Sequence, residues 1–284
     1  MQIDVTAVRQ IVAAALAEDL GWGDLTTDSL IAPDQTGVGQ LLAKEQGVLA
    51  GSEVAALVFT TADPSLRMEA AVADGSLVTP GTVLARVQGP LAGMLRGERV
   101  ALNFLQRLSG IASATAQYVA AVAGTGARIV DTRKTTPNLR ALEKYAVRVG
   151  GGGNHRFCLS DGVLIKDNHL AALRARGQRL AEAVQMVRRR VPHTIKIEVE
   201  AETLADVEEA LAAGVDAVLL DNMTLEDLRR AVRMVAGRAI TEASGGINLA
   251  TVRAVAECGV DLISVGALTH SVRSLDISME IVAR

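Results

Sequence analysis

Apolar and polar positions follow two rhythms along the chain. Up to about residue 93, short β-like runs at 38–43, 48–49, 66–72 and 82–87 are broken by glycine and proline, and a hairpin-like stretch runs from Asp74-Gly75 to Thr79-Pro80-Gly81. Apolar runs bounded by turn residues predict strands. With an amphipathic helix over residues 1–20, they form an α+β region. A long helical segment then covers 98–123, with Val100, Phe104, Leu105, Leu108 and Ile111 near helical spacing and a candidate kink at Ser109-Gly110.

Beyond it the rhythm becomes regular. Strand-like runs at 128–130, 163–165, 194–199, 217–220, 238–241 and 262–265 are joined by helical patterns at 180–190, 204–213, 225–235 and 249–257. Strand and helix alternating in this way predict parallel α/β units, as a barrel or as an open sheet. Residues 194–200 favour the barrel. There Ile195, Ile197 and Val199 alternate with Lys196, Glu198 and Glu200, so one face of the strand is charged. A central strand of an open sheet is apolar on both faces, whereas a barrel with a polar lumen accommodates this alternation.

Composition narrows the function. Hydrophobic residues at 49% and charged residues at 21% describe a globular chain, and its 284 residues make one or two domains. Aromatics at 2% leave little to stack on single-stranded nucleic acid, and a net charge of −3 gives no global attraction for nucleic acid or an anionic membrane. Cys158 and Cys258 lie far apart and read as small buried thiols of a reducing compartment. The N-terminus carries Asp4, Glu18 and Asp19 and reads as a helix rather than a signal peptide. A cytoplasmic protein is expected.

Candidate chemistry collects at strand ends, where α/β barrels place their catalytic groups. The first strand ends in Asp131-Thr132-Arg133-Lys134. The loop before the second carries Gly150 to Gly153, Asn154, His155 and Arg156, and that strand ends in Lys166-Asp167-Asn168-His169. The third ends in Glu198-Val199-Glu200, the fourth in Asp221-Asn222, the fifth in Glu242-Ala243-Ser244-Gly245-Gly246, and the sixth in Gly266-Ala267. Arg133, Lys134, Arg156 and Lys166 suit a substrate with several negative charges. Glu200 and Asp221 are of the type that ligates Mg²⁺ beside a phosphate. Ser244-Gly245-Gly246, before a helix expected near Asn248, offers backbone N–H groups to a phosphate. Taken singly, each cluster is also what a solvated loop or a structural ion network looks like. Together they describe a polyanionic acceptor, a Mg²⁺-bound diphosphate and a terminal phosphate.

At these residues the chain resembles the quinolinate phosphoribosyltransferase family. The matching stretches begin with Glu18-Asp19-Leu20-Gly21-x-Gly23-Asp24, Gly97-Glu98-Arg99-x-x-x-Asn103, Ser109-Gly110-Ile111-Ala112 and Asp131-Thr132-Arg133-Lys134-Thr135. They continue through Lys144-Tyr145-Ala146-Val147-Arg148, His155-Arg156, Leu164-Ile165-Lys166-Asp167-Asn168-His169, Glu198-Val199-Glu200, Leu220-Asp221-Asn222 and Ser244-Gly245-Gly246-Ile247. The resemblance implies a type II phosphoribosyltransferase. An N-terminal α/β sandwich over 1–108, joined by 268–284 as a C-terminal helix, would accompany an incomplete TIM-like α/β barrel over 109–267. It implies transfer of the phosphoribosyl group of phosphoribosyl pyrophosphate (PRPP) to quinolinate with decarboxylation. The products would be nicotinate mononucleotide, pyrophosphate and CO2, within NAD biosynthesis.

The resemblance also implies roles. Arg99 would reach across a homodimer, or a higher oligomer, to the partner's quinolinate, and Arg133, His155, Arg156 and Lys166 would surround its carboxylates. Lys134, Glu200 and Asp221 would hold PRPP and Mg²⁺, and Ser244, Gly245, Gly246 and Gly266 the 5′-phosphate. Lys166 or Lys134 would meet the anion left by CO2. Three rivals share the same residues: a Schiff-base aldolase using Lys166 or Lys196, a sensor that binds a phosphorylated ligand, and a phosphoribosyltransferase for another acid.

Overall fold

The computed structural model describes residues 5–283. In chain order the elements are α1 (Val5–Leu20), α2 (Leu25–Leu30), β1 (Thr36–Ala43), β2 (Gly47–Val48), α3 (Ser52–Ala62), β3 (Arg67–Ala70), β4 (Leu77–Val78), β5 (Val83–Pro90), α4 (Leu91–Ala121), β6 (Arg128–Val130), α5 (Arg140–Val149) and β7 (Val163–Ile165). Then come α6 (Asp167–Arg174), α7 (Leu180–Arg190), β8 (Ile197–Ala201), α8 (Leu204–Ala213), β9 (Ala217–Asp221), α9 (Leu225–Val235), β10 (Ile240–Ser244), α10 (Val252–Ala256), β11 (Leu262–Ser264), α11 (Ala267–His270) and β12 (Ile277–Ala283). The chain divides into two compact units, one of residues up to 116, 135–151 and from 268 onward, the other of 117–134 and 152–267.

The first unit is built on an antiparallel sheet of order β12-β1-β5-β3. α1 turns Val8, Val12 and Leu16, four residues apart, into the core, as an amphipathic helix requires; residues 1–4 of the helix expected over 1–20 lie outside the described residues. β3 and β5 pair across the hairpin-like stretch, while β4 inside it pairs with β2. α4 starts earlier than its apolar period suggested and runs unbroken through Ser109-Gly110. A Cβ on Gly110 would lie 2.3 Å from the Arg273 carbonyl oxygen, so this glycine serves close packing against the 273–274 segment. The C-terminal segment is not a helix but β12, an edge strand along β1. Its β-branched Ile277, Ile281 and Val282 favour a pleated strand over a helix.

The second unit holds six parallel strands in the order β6-β11-β10-β9-β8-β7. That order follows the chain around a circle, with the first strand beside the last. Only the step from β6 to β7 carries no ladder among the described residues, which makes an incomplete barrel. Gly153 forms a parallel bridge with Val130 at the free side of β6, so part of the glycine run is ordered backbone rather than slack. α7, α8 and α9 keep the bounds read from their apolar periods. Thr203 and Thr224 cap the latter two by accepting from the N–H of Asp206 and Asp227. On β8, Ile197, Val199 and Ala201 are buried while Glu198 and Glu200 take the alternate positions, the charged inner face that the barrel reading required. α6 was not among the expected helices, nor were α2, α3 and α5 of the first unit.

Candidate active site

A cavity of about 370 Å³ opens at the C-terminal ends of the strands, lined by residues from all six strands or the loops next to them. Arg133 and Lys134 follow β6, Lys166 follows β7, and Glu200, Asp221, Ser244 and Ser264 end the next four strands. In a flat sheet β6 and β7 would stand roughly 24 Å apart at the usual strand spacing. Their meeting in one cavity requires the sheet to curl.

Asp131, fully buried at the end of β6, organises the entrance loop. Its carboxylate accepts the Asn154 amide N–H at 2.6 Å and the His155 backbone N–H at 2.9 Å. The His155 ring is fixed at both nitrogens. Nδ1 accepts the Arg156 backbone N–H at 2.7 Å, so Nε2 carries the proton and lies 3.2 Å from Glu198 Oε2. The ring expected to meet quinolinate therefore spends its polar atoms on the protein.

The Arg156 Nη1 donates to the Gly162 carbonyl at 2.9 Å. Burial, and then the charge of nearby Arg133, lower its pKa from the ordinary guanidinium value. Two guanidiniums that burden each other are poised for an anion between them. On the opposite wall, Lys166 Nζ donates to Glu200 Oε2 at 3.0 Å. Glu200, Glu202 and Asp221 present carboxylate oxygens all within 4.8 Å of one another. This is a hard-oxygen set of the kind that holds Mg²⁺.

The glycine turn after β10 has its own geometry. Gly245 and Gly246 adopt φ of +95° and +61°, and a Cβ on Gly245 would sit 2.2 Å from Asn222 Oδ1 and 2.9 Å from the Asn222 backbone nitrogen. The helix expected at Asn248 begins only at Val252, as the short α10. The Asn248 side chain instead accepts from the Ala250 and Thr251 N–H groups. A phosphate pocket here would rest on the left-handed glycines and Ser244 rather than on a long helix dipole. Gly266 follows β11 and, like Gly245 and Gly246, is not in the cavity lining, while Lys196 is exposed just before β8. Arg99 is an exposed residue of α4 in the first unit.

Glu242 was passed over. It lies on β10, almost fully buried yet facing the cavity, and burial followed by the charge of Glu198 pushes its pKa up to about 7. The signal was the alternation Thr241-Glu242-Ala243-Ser244, which puts Glu242 on the same face as Ser244.

The C-terminal domain model of quinolinate phosphoribosyl transferase matches residues 111–280, and the N-terminal domain model matches residues 24–109. A probable nicotinate-nucleotide pyrophosphorylase [carboxylating] of Bacillus subtilis (strain 168) is 45% identical over 264 residues, covering 93% of this chain and 90% of its own. One of the same description from Synechocystis sp. is 46% identical over 270 residues, covering 94% and 90%. The crystal structure of NadC from Streptococcus pyogenes superposes with a TM-score of 0.94 at 44% identity, covering 100% of this chain and 99% of that one.

Proposed function

The chain belongs to the quinolinate phosphoribosyltransferase family, and we propose that the cavity at the strand ends is where it performs the family's reaction. That reaction transfers the phosphoribosyl group of PRPP to quinolinate with loss of CO2, in de novo NAD biosynthesis. One observation carries the site assignment: Arg133, Lys134, Arg156 and Lys166 line the same cavity as Glu200, Asp221 and Ser244.

Arg133 and Arg156 hold the two carboxylates of quinolinate, since planar guanidinium forks match carboxylates and both side chains line the cavity. Ser244 with the Gly245–Gly246 turn receives the 5′-phosphate. Glu200, Glu202 and Asp221 are the residues for Mg²⁺, which when bound neutralises the diphosphate. As the bond from the anomeric carbon to the diphosphate oxygen breaks, Glu200 and Asp221 stabilise the positive charge on the sugar, and the quinolinate nitrogen forms the new bond. The resulting pyridinium draws electrons from C2. The C2–carboxylate bond then breaks with its electron pair left at C2, CO2 departs, and C2 takes a proton. Lys166 is the donor in this reading, because its Nζ sits in the cavity, held by Glu200 Oε2 at 3.0 Å, and solvent restores its proton after CO2 leaves.

Arg99, exposed on α4, completes the quinolinate site of a second copy in a homodimer. The two thiols are free, in keeping with a cytoplasmic setting. No helix of the described residues is long and apolar enough to cross a membrane.

The test is incubation of the pure protein with quinolinate, PRPP and Mg²⁺, with nicotinate as the control acid and mass spectrometry as the readout. Nicotinate mononucleotide is expected from quinolinate and not from nicotinate. The same preparation is expected to sediment at twice the chain mass. Absence of product from folded, quinolinate-binding protein would overturn the reading.

A further inference from the structure

Glu242 and His155, which line the cavity, form with Glu198 a group of two carboxylates and one imidazole proton. Glu198 Oε2 takes the His155 Nε2–H at 3.2 Å, whereas Glu242 Oε1 is 3.6 Å from the same nitrogen. At that distance no hydrogen bond forms, and Glu242 Oε1 is a buried atom with no hydrogen-bond partner. A metal ion is a poor occupant of this trio. It would need a bare Nε2, which moves the ring proton to Nδ1 and against the Arg156 N–H now bonded there. A proton on Glu242 instead removes the buried charge that its Oε1 would carry without a partner.

We propose, resting on the function above, that Glu242 is a positioning residue that works as a neutral carboxylic acid. While Glu242 keeps its proton, His155 stays a neutral Nε2–H imidazole that pins the Arg156 backbone, and the cavity admits the quinolinate dianion. Burial and Glu198 favour the protonated form, His155 and the Ser264 hydroxyl oppose it, and Asp131 adds to the negative side. Arg156 stands next to His155 with its guanidinium held at Gly162. Loss of the proton puts a second negative charge beside Glu198, facing an incoming dianion, and weakens substrate capture.

The experiment is steady-state kinetics from pH 6 to 9 on the intact enzyme and on E242Q, a neutral isostere. In the unsubstituted enzyme the quinolinate KM is expected to rise by about tenfold per pH unit above neutrality, the slope of a single ionisation. E242Q should hold a flat quinolinate KM, and the PRPP KM should not follow pH in either protein. The same alkaline rise in E242Q, or a parallel rise in both KM values, overturns the proposal. Should E242Q not fold, ¹⁵N-histidine spectra of the unsubstituted protein decide. An Nε2–H His155 at pH 6 that changes through pH 7 to 8 supports it, and one unchanged to pH 9 refutes it. Calorimetric titration with quinolinate separates the two readings. A protein without turnover that binds quinolinate more weakly as pH rises keeps the role of Glu242 and loses the reaction.

Discussion

Glu143 on α5, in the first unit, and Glu242 on β10, in the second, are both almost completely withdrawn from solvent, and the chain treats them in opposite ways. Glu143 accepts from Arg107 Nη2 at 2.8 Å and Nε at 3.2 Å, from the Thr136 backbone N–H at 3.0 Å and from the Thr136 hydroxyl at 2.8 Å. Arg107 in turn donates to the carbonyls of Thr269 and Val272. One carboxylate thus ties α4, α5 and the 269–272 segment together. Glu242 faces another carboxylate instead of a cation and leaves an oxygen bare. A buried charge that is fully partnered holds structure. One left short of partners changes its protonation, and such groups collect where chemistry is done.

The largest separation between the two should come from Glu143→Gln. The amide would turn a donor toward Arg107, or leave the Thr136 N–H without an acceptor. Breaking one side of a buried ion pair costs about 3 kcal/mol. Urea unfolding should show this loss equally at pH 6 and pH 8, with the quinolinate KM of the surviving folded enzyme little changed. A loss below about 0.5 kcal/mol, within the range of ordinary surface substitutions, would mean the network is not what secures α5.

Arg133→Ala sharpens the contrast from the side of the cavity. A charge-assisted hydrogen bond contributes about 1.5–3 kcal/mol, so the quinolinate KM should rise roughly 10- to 100-fold. The PRPP KM should move far less, and the urea midpoint should stay near its original value. Equal rises in both KM values would remove Arg133 from the carboxylate site.

Much of this was legible in the chain. Helical spacing gave α8 and α9 their bounds, because an apolar stripe is a local property, and the structure adds the Thr203 and Thr224 caps at their starts. The alternation along β8 announced a charged lumen. Strand ends located Arg133, Lys134, Lys166, Glu200 and Asp221, which the fold gathers into one cavity. What could not be read was convergence. Glu143 lies on a helix that the sequence reading did not predict, and its partner Arg107 is 36 residues away. The state of Glu242 depends on Glu198 and His155, brought together by the curl of the sheet. The orientation of His155 depends on a backbone N–H that no spacing reveals. The C-terminal strand was lost for another reason: family resemblance placed a helix there, where the chain forms an edge strand along β1.

The remaining effect is the one with the opposite sign. Glu242 titrates near 7 in the folded protein, raised from 4.5, by burial first and Glu198 second. Between those values the folded state holds a proton that the unfolded chain has released, so stability falls as pH rises across that window. The contribution of the protonated acid is fully present below about pH 4.5 and gone above about pH 7. Glu242→Gln has no proton to lose. It should therefore melt close to the unsubstituted protein at pH 5 and above it at pH 8, each kcal/mol recovered raising Tm by about 2–4 °C. Glu143→Gln lowers Tm at both pH values. If Glu242→Gln also lowered it at pH 8, Glu242 would be an ionised, partnered carboxylate like Glu143, and the distinction between the two glutamates would fall.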